Sequence, residues 1–404
     1  MSTDPVCELD ARLSRRVKQI KISATKEMPM IAAQVGGCVS LGQGIPSFKT
    51  PEHVVDAVAK ALREDASAGK YSLQPGMPAL RLAAAELLHR EKGLPADAER
   101  EVAITVGGME GLLCAMLTLI GPGDEVIVPE PFYPSHVEHL LRAAGTPLAP
   151  PRRRAPWSLD PDAIEAAITP RTKAIIISSP HNPTGAVWAK ADLLKVAELA
   201  LRHNVFIICD DTYDALTYDG EAAFSLCSEP SVRHLLVGVF SFSKRFALTG
   251  WRVGFVWAQE PLLNQMLKIH DAAAICAPTP AQVAALASLG GPQEVFLAMH
   301  AELEKRRNLI CARLNGPGLG ERFSHVRPRG AFYVMAKADL PRTGNAPVAD
   351  SRTLAIRLIR EAKVITIPGG AFGPGGEGHL RLSFGGDEAE ISEALRRMKA
   401  WIPA

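Results

Sequence analysis

Between residues 100 and 240, short β-branched runs alternate with amphipathic stretches, and no other feature of the chain restricts its fold as much. The runs at 104–106, 125–128, 174–177, 205–208 and 235–240 are apolar at nearly every position, which is how strands covered on both faces read. The stretches at 111–120, 135–144, 161–168 and 191–203 space their apolar residues at helical intervals. Strand and helix in alternation predict an α/β layer structure around a mainly parallel sheet.

From residue 292 the pattern changes, with a long charged helix predicted over 295–314, a strand over 331–336 and a helix over 351–362. These read as a smaller α+β domain. A chain of 404 residues is longer than one compact core sustains. The expected division is therefore an N-terminal arm and part of the small domain over 1–50, a large domain over 51–290 and the small domain over 291–404. Gly36, Gly37, Gly42, Gly44 and Pro46 break the segment before Pro51 and make it look more like an arm than a folded unit.

A net charge of +2 spread over 22% charged residues offers no basic patch to nucleic acid. The longest apolar runs, such as 111–120, are too short to span a bilayer, and residues 1–20 lack the apolar core of a leader. Seven scattered cysteines with no C-x-x-C pair fit a reducing compartment and no structural metal. The expectation is a cytoplasmic protein whose partners are small molecules, without metal, nucleic acid or membrane.

Ser241-Phe242-Ser243-Lys244 follows the run 235–240 directly. A lysine at the carboxyl edge of a parallel sheet stands where open α/β sheets bind ligands. Desolvation there lowers its pKa and makes the amine a nucleophile toward an aldehyde, whereas taken alone it reads as a solvated loop lysine. Ser241 and Arg252 flank it with a hydroxyl and a guanidinium suited to a phosphate dianion. Further back, an apolar strand runs into Asp210, which is either a functional anion or a helix N-cap. Tyr213, three residues on, is a donor or a plain core tyrosine. Asn182, in Ser179-Pro180-His181-Asn182-Pro183-Thr184-Gly185, is fixed by the following proline and can aim its amide at an oxygen, or it marks a bare turn. His181 reads as structural. In Thr105-Val106-Gly107-Gly108-Met109-Glu110 a strand passes through two glycines into a helix, which makes either an anion site of free N–H groups or a simple tight turn.

The motifs S-x-S-K, G-W-R, H-N-P-T-G and D-x-x-Y, with N-P-T-G, D-x-x-Y and S-x-S-K in that order, resemble those of the class I/II pyridoxal-phosphate aminotransferases, the aspartate aminotransferase superfamily, from about residue 41 to the C-terminus. The resemblance implies fold type I and pyridoxal 5'-phosphate (PLP) held by Lys244 as a Schiff base. In that family pattern Asp210 pairs with the pyridine nitrogen, because a protonated ring is the electron sink of the chemistry. Asn182 and Tyr213 meet the phenolic oxygen, and Ser241, Arg252 and the Gly108-Met109 backbone take the phosphate. Tyr133, in Glu130-Pro131-Phe132-Tyr133-Pro134, stacks on the ring. Arg381 grips the substrate carboxylate, and Gly44 lies on a segment that closes over the substrate. Tyr71 reaches the phosphate of a partner subunit, which implies a homodimer with composite active sites.

The implied activity is transfer of an amino group from an amino acid to a 2-oxo acid through a Lys244 aldimine. The alternatives are a β- or γ-elimination, replacement or cyclising enzyme on the same scaffold, or a PLP-sensing regulator, for which no helix-turn-helix is legible. Three positions depart from the usual pattern: Met109 replaces a hydroxyl residue, Tyr133 a tryptophan and Asp211 a glutamate. A dicarboxylate substrate would need a second cation opposite Arg381, with Arg245, Arg329 and Lys70 as candidates.

Overall fold

The computed structural model describes residues 12–20, 22–150, 156–339 and 350–401. In chain order its strands are β1 (Val39–Ser40), β2 (Val102–Thr105), β3 (Glu125–Ile127), β4 (Thr146–Leu148), β5 (Thr172–Ser178), β6 (Phe206–Asp210), β7 (Leu236–Ser241), β8 (Gly254–Ala258), β9 (Phe323–His325), β10 (Tyr333–Ala338), β11 (Val364–Ile365), β12 (Ile367–Pro368) and β13 (His379–Ser383). The large sheet runs β2-β8-β7-β6-β5-β3-β4, and β8 alone lies antiparallel to its neighbours. The expected mainly parallel α/β sheet is thus the observed one. β2 and β5–β8 are buried along almost their whole length, which explains their unbroken apolar runs.

Helices cover both faces of this sheet and bury apolar side chains against it. Register sets the future site: Ser178 pairs with Asp210, Asp210 with Val239, and Ser241 with Gly254. The segments carrying Asn182, Asp210 and Lys244 therefore leave the sheet side by side at its carboxyl edge. A second core surrounds the antiparallel sheet β12-β13-β10-β9. It includes Leu314, Phe332, Leu358 and Leu395, but also Met28, Ala32 and Leu41 from the amino end.

The segment before Pro51, expected as an arm together with part of the small domain, thus contributes to this second core. Residues Ala24–Val35 form a helix with Met28 and Ala32 buried, and β1 pairs in parallel with β11. Pro29 inside the helix and Gly36 at its end masked the helical signal. The predicted helix over 351–362 is an α-helix only as far as Arg357 and continues as a π-helical turn over Leu358–Ala362. Among the described residues no helix is long and apolar enough to cross a membrane.

Candidate active site

A cavity of about 330 Å³ opens where the carboxyl edge of the large sheet meets the small one. Gly44, Gly108, Met109, Tyr133, Asn182, Asp210, Tyr213, Ser241, Lys244, Arg252 and Arg381 all line it. Tyr71 does not; it is 76% exposed on the outside of the chain.

Lys244 stands in the short helix Phe242–Arg245 immediately after β7. Its Nζ donates to the carbonyl of Gly44 at 2.7 Å. Burial, then repulsion from Arg252 and Arg381, lower its pKa to about 8, although Asp210 pulls the other way. The amine is therefore still mostly protonated at neutral pH, but its neutral fraction is far larger than that of an ordinary lysine. Asp210, at the end of β6, receives His136 Nε2 at 2.8 Å on one oxygen and the Thr212 hydroxyl at 2.6 Å on the other. Burial alone would raise its pKa. The His136 and Thr212 contacts outweigh burial and keep the carboxyl below its ordinary value. Asp210 is thus a buried carboxylate held ionised and facing the cavity, rather than only a cap.

Across the floor, Gly107 (φ +71°) and Gly108 open the helix Gly107–Leu119. No side chain caps this helix, so the first-turn N–H groups and the helix dipole are available to an anion. A Cβ at Gly107 would lie 2.8 Å from Arg252 Nη2, so the guanidinium packs directly on the turn. Gly254 makes that turn possible, since a Cβ there would lie 2.6 Å from the Phe240 carbonyl and 2.7 Å from the Gly108 nitrogen. Ser241 accepts from the Ser243 N–H and keeps its own hydroxyl hydrogen free to donate into the turn. Three kinds of donor thus converge on one point, a set that suits a phosphate dianion. The Met109 sulfur accepts the Tyr133 hydroxyl at 3.7 Å, which ties the departure at 109 to the aromatic at 133.

On the opposite side Arg381, 2% exposed, projects from β13. Nη2 donates to the Gly42 carbonyl at 2.7 Å and Nη1 to Asn182 Oδ1 at 3.2 Å. Its Nε is buried without a protein partner, so the guanidinium keeps a donor in reserve for an added acceptor. The guanidinium lies 4.3 Å from the Tyr333 ring and 5.0 Å from that of Phe372.

Several residues of the site were missed from the sequence. His136 and Thr212 fix Asp210, and Thr25, Pro29, Gln43, Ile45 and Tyr333 complete the walls. Thr212 had a signal, since a hydroxyl two residues after a strand-end aspartate can bond back to it. His136 and Tyr333 had none. The proposed second cations do not reach the cavity. Arg245 pairs with Glu91, Arg329 pairs with Glu221, and Lys70 lies beside the exposed Tyr71. Asp211 also points elsewhere, toward buried Lys92 at 3.7 Å.

Residues 37–398 match the family described as aminotransferase class I and II. The chain is 35% identical to aromatic-amino-acid aminotransferase 2 of Thermococcus litoralis over 96% of its own length and 97% of that protein's. It is 36% identical to the aspartate/prephenate aminotransferase of Thermus thermophilus, covering 95% of this chain and 97% of that one. Among solved structures, the aspartate aminotransferase from Thermus thermophilus with maleate superposes with a TM-score of 0.86 at 36% identity, over 96% of this chain and 99% of that one.

Proposed function

The chain belongs to the aminotransferase class I and II family, and from that premise we propose how its own residues carry out the transfer. It is a PLP-dependent enzyme that moves the amino group of an amino acid to a 2-oxo acid. The relatives' names favour transfer over the elimination, replacement and ring-closing alternatives. The observation that carries the assignment of roles is the convergence of Lys244, Asp210, Arg252 and Arg381 on one cavity.

The donor set suits PLP: a phosphate cup at one end, a buried carboxylate at the middle and an amine of lowered pKa beside it. When bound, PLP supplies an aldehyde that combines with amines and a protonated ring that takes up electrons. Gly108, Met109, Ser241 and Arg252 hold the phosphate. Asp210, kept ionised by His136 and Thr212, holds a proton on the ring nitrogen. Tyr133 covers one face of the ring, and Asn182 and Tyr213 donate to its phenolic oxygen. Arg381, with Asn182 at its side, binds the substrate carboxylate through the donor it keeps in reserve. That grip would fix the α-carbon beside Lys244, whose Nζ would be placed to take up and return the α-proton as general base and acid. The Gly44 carbonyl, which accepts from Lys244, steers that amine while the segment around it screens water.

We also read the protein as a cytoplasmic homodimer in which Tyr71 completes the partner's phosphate site. Tyr71 and Leu73 are 76% and 64% exposed, yet their backbone is pinned. Thr279 donates to the Lys70 carbonyl at 2.6 Å, and Gln74 donates to the Leu267 carbonyl at 2.7 Å. An ordered segment that presents aromatic and aliphatic side chains outward suits a subunit contact. The free cysteines among the described residues fit a reducing cytoplasm.

The test is a single turnover of PLP-loaded protein with amino acids added one at a time. The expected result is bleaching of the visible cofactor band with stoichiometric release of the matching 2-oxo acid, and recovery of the band on adding a second 2-oxo acid. A cyclic or substituted amino acid formed without oxo acid would overturn the reading.

A further inference from the structure

Tyr333 opens β10 in register with Ser383 of β13 and is 1% exposed. It touches three parts of the site at once. Its hydroxyl lies 2.8 Å from the hydroxyl of Tyr213. Its ring lies 4.3 Å from the Arg381 guanidinium, which the Phe372 ring also neighbours at 5.0 Å. Its phenol also abuts Gly44 so closely that a Cβ there would overlap the oxygen, and the Gly44 carbonyl is the acceptor for Lys244. A buried tyrosine that only filled space would not need its polar end at the meeting point of these groups.

We infer that Tyr333 is a positioning residue for the transfer reaction, donating its hydroxyl hydrogen to Tyr213 so that the Tyr213 hydrogen is left for the cofactor. The inference rests on the reading that Tyr213 serves the phenolic oxygen and Arg381 the substrate carboxylate. In a pair of tyrosine hydroxyls one donates and the other accepts. An anionic phenolic oxygen is a stronger acceptor than a neutral hydroxyl, so it takes the Tyr213 hydrogen and leaves Tyr333 as donor within the pair. Burial raises the pKa of both phenols, which keeps both hydrogens in place at working pH. Through the same ring Tyr333 orients Arg381, so one side chain of the small sheet aligns the cofactor-facing donor and the carboxylate clamp.

The experiment compares PLP-loaded wild type, Tyr333→Phe, Tyr213→Phe, the double variant and Tyr333→Leu. Tyr333→Phe keeps the ring over Arg381 and loses only the donor. Weaker donation leaves more negative charge on the phenolic oxygen, which favours the protonated form of the Lys244 nitrogen nearby. The pH midpoint of the visible cofactor band is therefore expected to rise by about 0.5 to 1 pH unit, the equivalent of one hydrogen bond. The kcat is expected to fall about 5- to 10-fold, with the amino-acid KM held within about 2-fold. In the Tyr213→Phe background, Tyr333→Phe should change neither quantity, because it acts through Tyr213. Tyr333→Leu should also raise the amino-acid KM by about 5- to 10-fold, as the guanidinium loses its aromatic face. A midpoint that stays or falls in Tyr333→Phe, or effects that simply add in the double variant, would overturn the role of Tyr333. Wild-type protein that takes up no cofactor would overturn the underlying reading with it.

Discussion

On the large-sheet side of the cavity, Asp210, Ser241 and Lys244 come from the ends of two adjacent strands, and Arg252 and the Gly107-Gly108 turn lie within a few residues of the next two. On the small-sheet side, Arg381, Tyr333, Gly42 and Gly44 come from segments far apart in the chain, and Arg381 reaches back across the cavity to Asn182 of the large-sheet side. The first half is built by local register and is rigid once the sheet forms. The second half exists only when the two cores are seated against each other, with the amino-terminal helix and the segment after it in place. On the proposed roles, a site divided this way separates holding a cofactor from gripping a substrate, and substitutions should separate them too.

The sharpest break is on the large-sheet side. Lys244→Ala removes the amine proposed as both anchor and proton carrier, and turnover should fall by at least about 10⁴-fold with any amino acid. The pH dependence of PLP uptake by apoprotein checks the assignment independently. An amine lowered to about 8 is half neutral there, so uptake should rise with pH and level off above about 8 rather than climb toward the ordinary lysine range. Lys244→Ala should lose covalent uptake at every pH. Across the cavity, Arg381→Ala should reduce kcat/KM by about 10³-fold, as expected for losing a buried charged partner of the substrate carboxylate. Its cofactor affinity should stay close to wild type. Arg381→Lys should not rescue it, since a point charge cannot replace a planar fork packed near two rings. If Arg381→Ala also emptied the protein of PLP, the separation of the two halves would be lost.

Two glycines sharpen the same contrast with smaller effects. Gly254→Ala forces a methyl group against the Phe240 carbonyl and the Gly108 nitrogen, which are backbone atoms that cannot swing aside. It should destabilise the fold by about 1–3 kcal/mol in urea unfolding and weaken PLP binding. Gly44→Ala meets the Tyr333 hydroxyl, the end of a side chain. Stability should change less, while misplacement near Arg381 and Lys244 lowers kcat/KM by about 10- to 100-fold.

Legibility followed the same division. The large-sheet groups sit in short runs where a strand ends in a chemically distinctive residue, so Lys244, Asp210, Asn182 and the glycine turn could be picked out with a physical reason beside each. Arg381 and Gly44 were legible only through resemblance, because nothing near either one in the chain says that they meet. Tyr333 and His136 were invisible. Tyr333 lies in an apolar strand and His136 in an amphipathic helix, and each becomes notable only through a hydrogen bond to a distant partner, Tyr213 or Asp210. The helix over Ala24–Val35 was missed for a different reason. The breakers from Gly36 to Pro46 argued for an arm, and burial of Met28 and Ala32 in the small-sheet core overrode them.

His136 offers the smallest and most diagnostic test, because it supports the large-sheet half without lining the cavity. Asp210 is buried, and burial by itself pushes a carboxyl upward; the His136 and Thr212 contacts bring it below its ordinary value. A carboxyl with a depressed pKa stays ionised well into acid, so the acid limb of kcat in the wild type should lie low. His136→Phe removes one donor and leaves Thr212. The pKa of Asp210 then rises, ring protonation fails at a higher pH, and the acid limb should move up by about one pH unit. At neutral pH kcat should drop only about 3- to 10-fold, and the amino-acid KM should not follow, because Arg381 and the small-sheet half are untouched. His136→Gln, which can still donate, should restore most of the limb. A shifted KM in place of a shifted limb would mean that His136 acts through the packing of Tyr133, whose ring lies 5.5 Å away in an edge-on contact, and not through the charge of Asp210.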